Sequence, residues 1–353
     1  MTELLIYVLI FGLTFAGVKI FRQWSWRCRL LDVPNERSSH TVPTPRGGGL
    51  IIVLVCLTAD AAATLLRAEN FHWSYLLGAS SIALISWLDD LYTISFAWRL
   101  LIQSGAAVLI VLTLGSFDEF YIPLPGSYNL GSAGILPTLL WIVGLTNAYN
   151  FMDGIDGIAG TQAVTAGIGW VLVGNILGVP SSGFYGGVLA AASFGFLLHN
   201  WQPAKVFMGD VGSAFLGFSF AVLPLLAKNE GGAAAGDQKF LLPAAVILVW
   251  LFAFDPLWTL GRRIMNGEKV WEAHRGHLYQ KLVGGGYSHR FVSGLYALIS
   301  MFNVILLIFS LGSRNRELIF PFFLFPLLLL LFLILQTVGL LVVLQSIRRG
   351  KSK

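Results

Sequence analysis

Of the 353 residues, 56% are hydrophobic and only 12% charged, and mean hydropathy is +0.74; an ordinary soluble domain is about 25% charged, which argues against a water-soluble fold. The net charge of +5 is gathered in a few loops, a pattern that beside a bilayer reflects orientation and anionic-lipid contact rather than nucleic-acid binding. The two cysteines, Cys28 and Cys56, make neither a disulfide framework nor a zinc site.

A membrane-crossing helix needs about 20 mainly apolar residues. Eleven segments are candidates, at approximately 3–21, 48–66, 73–88, 98–115, 134–149, 159–178, 184–199, 213–228, 241–260, 291–311 and 318–345, the fifth and seventh being short. Basic residues follow the first segment and no small-residue cleavage site does, so it reads as a retained anchor rather than a signal peptide. Backbone groups in lipid must be satisfied within their own segment. The expected fold class is therefore all-α, a polytopic integral membrane helix bundle of about eleven transmembrane helices. It forms one domain over 1–353, with a long loop at 261–290 and a small external hairpin in the Gly-, Pro- and Tyr-rich stretch 116–133.

With the amino terminus outside, segments 19–46, 89–99, 150–158, 200–212, 261–290 and 346–353 are cytosolic and hold 18 of the 23 Lys and Arg residues. The opposite loops keep only Arg67, Lys228, Lys239, Arg314 and Arg316. Positive charge is retained on the cytosolic side, which selects this orientation and a cytosolic carboxyl terminus.

Acidic residues at membrane depth are costly and mark function, and five of them fall in three loops that open on one side. Asp89 and Asp90 end the third span in WLDD. Adjacent carboxylates repel unless a cation or shared proton relieves them, and acid at a helix C-terminus opposes the helix dipole. The motif NAYNFMDGIDGIAG at 147–160 sets Asn147 and Asn150, then Asp153 and Asp156, each pair three apart, with Gly154 and Gly157 permitting a close backbone approach. Hard oxygen donors without the alternating acids and terminal Glu of a calcium loop favour magnesium, which needs only one or two protein carboxylates. In PAKVFMGDVGSAFLG at 203–217, Lys205 and Asp210 flank a turn before a helix whose first N–H groups suit an anion; a plain helix cap by Ser213 is the alternative.

The loop 261–290 carries His274, Arg275 and His277. Two His three apart lack a third ligand at zinc spacing, and with Arg262 and Arg263 nearby an oxyanion-binding loop is the better account. Asp255, at the end of the ninth span, is expected to pair with Arg262 or Arg263. Between the first two spans, DVPNERSSHTVPTPRGGG at 32–49 fixes a non-helical path and places Arg37, His40 and Arg46 where a lipid phosphate would lie.

Together and in this order, these motifs resemble the polyprenyl-phosphate N-acetylhexosamine-1-phosphate transferase family, over about 32–277. The resemblance implies transfer of a sugar 1-phosphate from a UDP-N-acetyl sugar to undecaprenyl phosphate, with release of UMP, at a bacterial cytoplasmic membrane. It implies Mg2+, with Mn2+ as alternative, held by Asn150 and Asp210. Asp89 or Asp90 would prepare the lipid phosphate, and Asp153 and Asp156 would hold the nucleotide or shape its pocket. Asn147, Lys205, His274, Arg275 and His277 would contact diphosphate or nucleotide, and Arg37, His40, Arg46 and Arg99 the lipid phosphate. HRGH in place of a run of histidines looks more like the O-antigen initiating branch than the muramoyl-pentapeptide enzymes. N-acetylfucosamine, N-acetylquinovosamine and N-acetylglucosamine are the competing donors, and a homodimer is left open. A secondary transporter would carry its acids near the midplane in broken helices, not at span ends on one face. A CDP-alcohol phosphotransferase requires a Gly-x3-Asp-x3-Asp continuation that the sequence after Gly157 does not have.

Overall fold

The computed structural model describes residues 2–34, 42–67, 72–122, 126–231, 237–269 and 276–313, with 333 and 337 singly beyond them. Helices occupy ten of the eleven candidate segments; the eleventh, 318–345, lies outside the described stretches. In chain order they are α1 (Thr2–Arg27), α2 (Gly49–Arg67), α3 (Trp73–Tyr92), α4 (Phe96–Leu114), α5 (Ile135–Met152), α6 (Ile158–Leu177), α7 (Pro180–Asn200), α8 (Asp210–Asn229), α9 (Leu241–Leu248), α10 (Trp250–Met265), α11 (Leu278–Gly284) and α12 (His289–Gly312). Two small antiparallel ladders are the sheet among the described residues: β1 (Leu31–Asp32) with β2 (Thr44–Pro45), and β3 (Glu119–Ile122) with β4 (Gly126–Asn129), the hairpin expected in 116–133.

The count of eleven spans is not confirmed among the described residues. Seven described helices are long and apolar enough to cross a membrane by length and composition, eight if α9 and α10 form one broken span. Those two meet at a 72° bend, so the ninth segment is not the straight span expected over 241–260. Periodicity could not reveal this, because both arms are apolar. The seventh is not short, since α7 begins at Pro180, a residue whose missing N–H costs nothing at a helix start.

At the centre stands α8, in which every residue from Val211 to Ala227 is buried, packed against α3 and α5. Helices α6 and α7 approach closely because their facing residues are small: a Cβ on Gly174 would lie 2.7 Å from the Gly183 Cα, and one on Gly167 would overlap the Gly186 carbonyl. Small residues allow such dispersion-rich packing where lipid gives no hydrophobic drive between helices.

At the bend, Gln162 of α6 donates to the Leu248 carbonyl at 2.7 Å and accepts from Ser300 Oγ of α12 at 2.8 Å. Backbone freed by a break inside a bundle needs such a partner. Gln162→Leu leaves a buried carbonyl and hydroxyl without it, and is expected to destabilise the protein by about 1–3 kcal/mol, read as a lowered unfolding temperature in micelles.

Candidate active site

The ends of α3, α5 and α7 and the starts of α2, α4, α6 and α8 meet at one end of the bundle. Segment 44–49 lies along 206–208: the Phe207 N–H donates to the Pro45 carbonyl at 2.8 Å, and the Gly48 and Gly49 N–H groups donate to Phe207 and Met208 carbonyls at 2.9 Å each. That ladder carries Arg46 to the first turn of α8.

Asp210 is the hub. Its Oδ1 lies 3.4 Å from Arg46 Nη2, and its Oδ2 accepts from Arg99 Nη1 at 3.0 Å and from Asn150 Nδ2 at 3.1 Å. Arg46 also pairs with Asp90 at 2.8 Å, and Arg99 with Asp89. Ser213 Oγ donates to Asn150 Oδ1 at 2.7 Å, so it orients that amide rather than capping the helix. Asp90 accepts from the Asp210 and Val211 N–H groups at 3.0 and 3.1 Å. The anion at the α8 N-terminus is thus a side chain of the chain itself, favoured there by the helix dipole. Asp89 accepts from the Ile94 N–H at 2.6 Å and so braces the α3–α4 turn.

Asn147 and Asn150 belong to the last turns of α5 instead of a loop. Asp153, just past that helix, is half-buried; its N–H donates to the Asn150 carbonyl at 3.2 Å, while its carboxylate has no hydrogen bond or ion pair to the described residues. Burial foremost, then Asp210 and Asp90, push its carboxyl up to about 8. Asp156 is committed elsewhere: it accepts from the Ala204 N–H at 3.1 Å and lies 3.4 Å from His289 Nδ1. Lys205 is exposed, outside the cluster. Arg37, His40, His274 and Arg275 lie outside the described residues.

The described residues hold no ready-made group of three or more His, Cys, Asp or Glu ligands, which disfavours a closed zinc-type site. The set does fit a hard divalent cation. Asp89, Asp90 and Asp210 face two guanidiniums, leaving one negative charge, and Asp153 adds a second when ionised. An oxygen-rich site with a twofold deficit suits Mg2+, most of whose coordination is water and phosphate.

An apolar groove of about 560 Å3 runs beside α5, walled by Leu140, Trp141, Pro256 and Leu257 among others. Asn147, Phe151 and His277 line it as well, so it reaches the same last turn of α5 that presents Asn150 to Asp210. His277 is held by α10: Asp255 accepts from the Leu278 N–H at 2.9 Å and lies 3.9 Å from His277 Nδ1. Arg262 reaches the Gly276 carbonyl at 3.4 Å, and Arg263 the Glu268 carboxylate at 3.0 Å. Tyr279 Oη donates to the Phe151 carbonyl at 3.0 Å and docks the loop on α5. Sequence reasoning missed Tyr279 and Gln103, and saw Ser213 only as a helix cap. Gln103 is buried in α4 and accepts from Asn147 Nδ2 at 2.6 Å; its polarity inside an apolar run was the available signal.

Comparison with known proteins shows the family. The profile of glycosyl transferase family 4 matches residues 72–228, from the start of α3 to the end of α8. A probable undecaprenyl-phosphate N-acetylglucosaminyl 1-phosphate transferase of Bacillus subtilis (strain 168) is 35% identical over 266 residues, covering 74% of this chain and 71% of the relative. A decaprenyl-phosphate N-acetylglucosaminephosphotransferase of Mycobacterium leprae (strain TN) is 32% identical over 291 residues, 75% and 72% of the two chains. A phospho-N-acetylmuramoyl-pentapeptide-transferase of Rickettsia rickettsii is 31% identical over 266 residues, 65% and 72%. With Asp89, Asp90, Arg99 and Asp210 of the matched region converging on one hub, and these relatives covered over more than two thirds of their length, the chain belongs to glycosyl transferase family 4.

Proposed function

We propose that this protein transfers an N-acetylhexosamine 1-phosphate from a UDP-sugar to undecaprenyl phosphate, releasing UMP, at the cytosolic face of a bacterial cytoplasmic membrane. The observation that carries the reading is the junction at the end of α5, where a lipid-sized apolar groove meets the Asp210 hub. A polyprenyl chain in the groove puts its phosphate at the polar end, beside Arg46 and Arg99. A phosphate oxygen then attacks the sugar-bearing phosphorus of the donor; the bond to UMP breaks, and the sugar phosphate leaves joined to the lipid through a diphosphate. Phosphoryl transfer depends on positioning and charge neutralisation. Arg46 and Arg99 supply fixed cations, and His277 contacts the diphosphate from the loop. Asp210, Asn150 and Asp153 would hold Mg2+, or Mn2+, and the bound ion would neutralise diphosphate oxygens. Asp156 is a positioning residue for the 200–205 turn.

N-acetylglucosamine is the first donor to try, since two of the relatives carry that sugar in their names; the 6-deoxy sugars of O-antigen initiation belong in the same panel. The test is UMP release by purified protein given undecaprenyl phosphate and Mg2+. Release that needs lipid and is abolished by EDTA then restored by Mg2+ supports the reading. No release with any donor overturns it. Direct attack further predicts that UDP-sugar labelled in its sugar phosphate leaves no labelled protein when lipid is omitted.

The groove is tested separately. A Cβ on Gly144 meets nothing within 4 Å, so Gly144→Phe fills the groove without displacing its walls. It is expected to raise KM for undecaprenyl phosphate by about five-fold or more while leaving KM for the UDP-sugar within about two-fold.

A further inference from the structure

A second depression, of about 440 Å3, lies between α1, α6 and α7 and shares no lining residue with the groove beside α5. Its floor is formed by Gly187, Ala190 and Ala191 of α7, small residues that leave the space open. Ile168 and Leu172 of α6, each 38% exposed, make one wall, and Phe194 closes one end. From there an aromatic series follows the α1–α7 seam. Phe194 lies 5.3 Å from Phe11, Phe11 lies 6.2 Å from Phe15, and Phe15 stacks on His199 at 4.6 Å, all between ring centroids. His199 Nε2 is tied to the Phe15 carbonyl at 3.0 Å.

The series ends among cations. Lys19, Arg22 and Lys205 all lie close enough to His199 to act on it electrostatically. Among the described residues none of the three pairs with a carboxylate. Trp24 and Trp26, both exposed, follow directly on α1, and tryptophan at a helix end marks headgroup depth. From Tyr7 to Lys19, α1 rises about 18 Å, close to the roughly 15 Å of one leaflet's hydrocarbon.

We infer that this seam binds an anionic phospholipid, with an acyl chain in the groove and its headgroup phosphate against Lys19, Arg22 and Lys205. An apolar slot at acyl depth, ending in uncompensated cations at headgroup depth, matches the two parts of such a lipid and their separation. A second copy of this chain suits the face less well. A two-fold contact sets each patch against itself, which brings like charges together at the same depth.

The test is native mass spectrometry of the full chain in neutral detergent, titrated with phosphatidylglycerol and phosphatidylethanolamine of identical acyl chains. Wild type, Lys19→Gln/Arg22→Gln and Ala191→Phe are compared. Wild type is expected to retain phosphatidylglycerol at about ten-fold lower concentration than phosphatidylethanolamine, and the double variant to lose that preference. Ala191→Phe is expected to weaken retention of both lipids by blocking the slot. UMP release in lipid-poor detergent stays equal in wild type and the double variant, which separates this site from catalysis. Equal phosphatidylglycerol retention in wild type and double variant overturns the inference. So does full displacement of the lipid by millimolar inorganic phosphate, which would mark a free-anion site, or a shift from dimer to monomer in Ala191→Phe with lipid retention unchanged.

Discussion

Asp210→Asn is expected to lower kcat/KM for lipid-dependent UMP release by about 10^3 or more. The change is nearly isosteric and keeps an oxygen for Arg99 or Asn150, so the hub's shape is preserved while its charge is lost. What disappears is the one carboxylate shared by both guanidiniums and the Asn150 amide. With that charge gone, the deficit that suits a divalent cation is halved, and Arg46 and Arg99 are drawn further onto Asp90 and Asp89. The measurement pairs UMP release with Mg2+ binding by titration calorimetry. Weakened Mg2+ binding together with lost turnover places Asp210 at the metal. Turnover within about ten-fold of wild type would remove it from the centre of the mechanism.

The second large effect comes from a residue without a side chain. Gly209 adopts φ +76 and ψ 165, a region essentially closed to other residues. A Cβ there would lie 2.6 Å from Asp90 Oδ2 and 2.9 Å from the Gly47 Cα. Strain of about 1–3 kcal/mol from the backbone alone adds to displacement of the carboxylate that caps α8 and holds Arg46. Gly209→Ala is therefore expected to lower kcat by about 10^2 or more while the protein still elutes as a folded species, because α8 is anchored along its whole length by the bundle. Near-normal kcat would mean that the Asp90 cap does not position the catalytic groups.

The relation between these acids and arginines reassigns part of what the motifs suggested. In the proposed reaction Arg46 and Arg99 would meet the phosphate as members of a network in which Asp89, Asp90 and Asp210 already orient them. Fixed orientation is useful here: guanidiniums held by carboxylates need little rearrangement when a phosphate arrives, which is how preorganised charge lowers a phosphoryl-transfer barrier. Asp156 shows the opposite case, since a motif aspartate spends its carboxylate on the Ala204 N–H and His289.

The amino-acid sequence by itself determined the membrane class, the helical character, the hairpin at 116–133 and the set of acidic motifs that gather at one end. The reasons are local. Apolar length dictates helices in lipid, and carboxylates are too costly at membrane depth to sit there without use. Only the tertiary structure decided that α9 and α10 are broken by 72° and that Asp90 caps α8. It alone shows that the Gly-rich segment 44–49 pairs with 206–208 to deliver Arg46, and that Asp255 bonds the first N–H of α11. The last three join separate segments of the chain, 120 positions apart in the case of Asp90 and Asp210. No period or spacing within a segment encodes such pairings; they follow from which helix ends the bundle brings together.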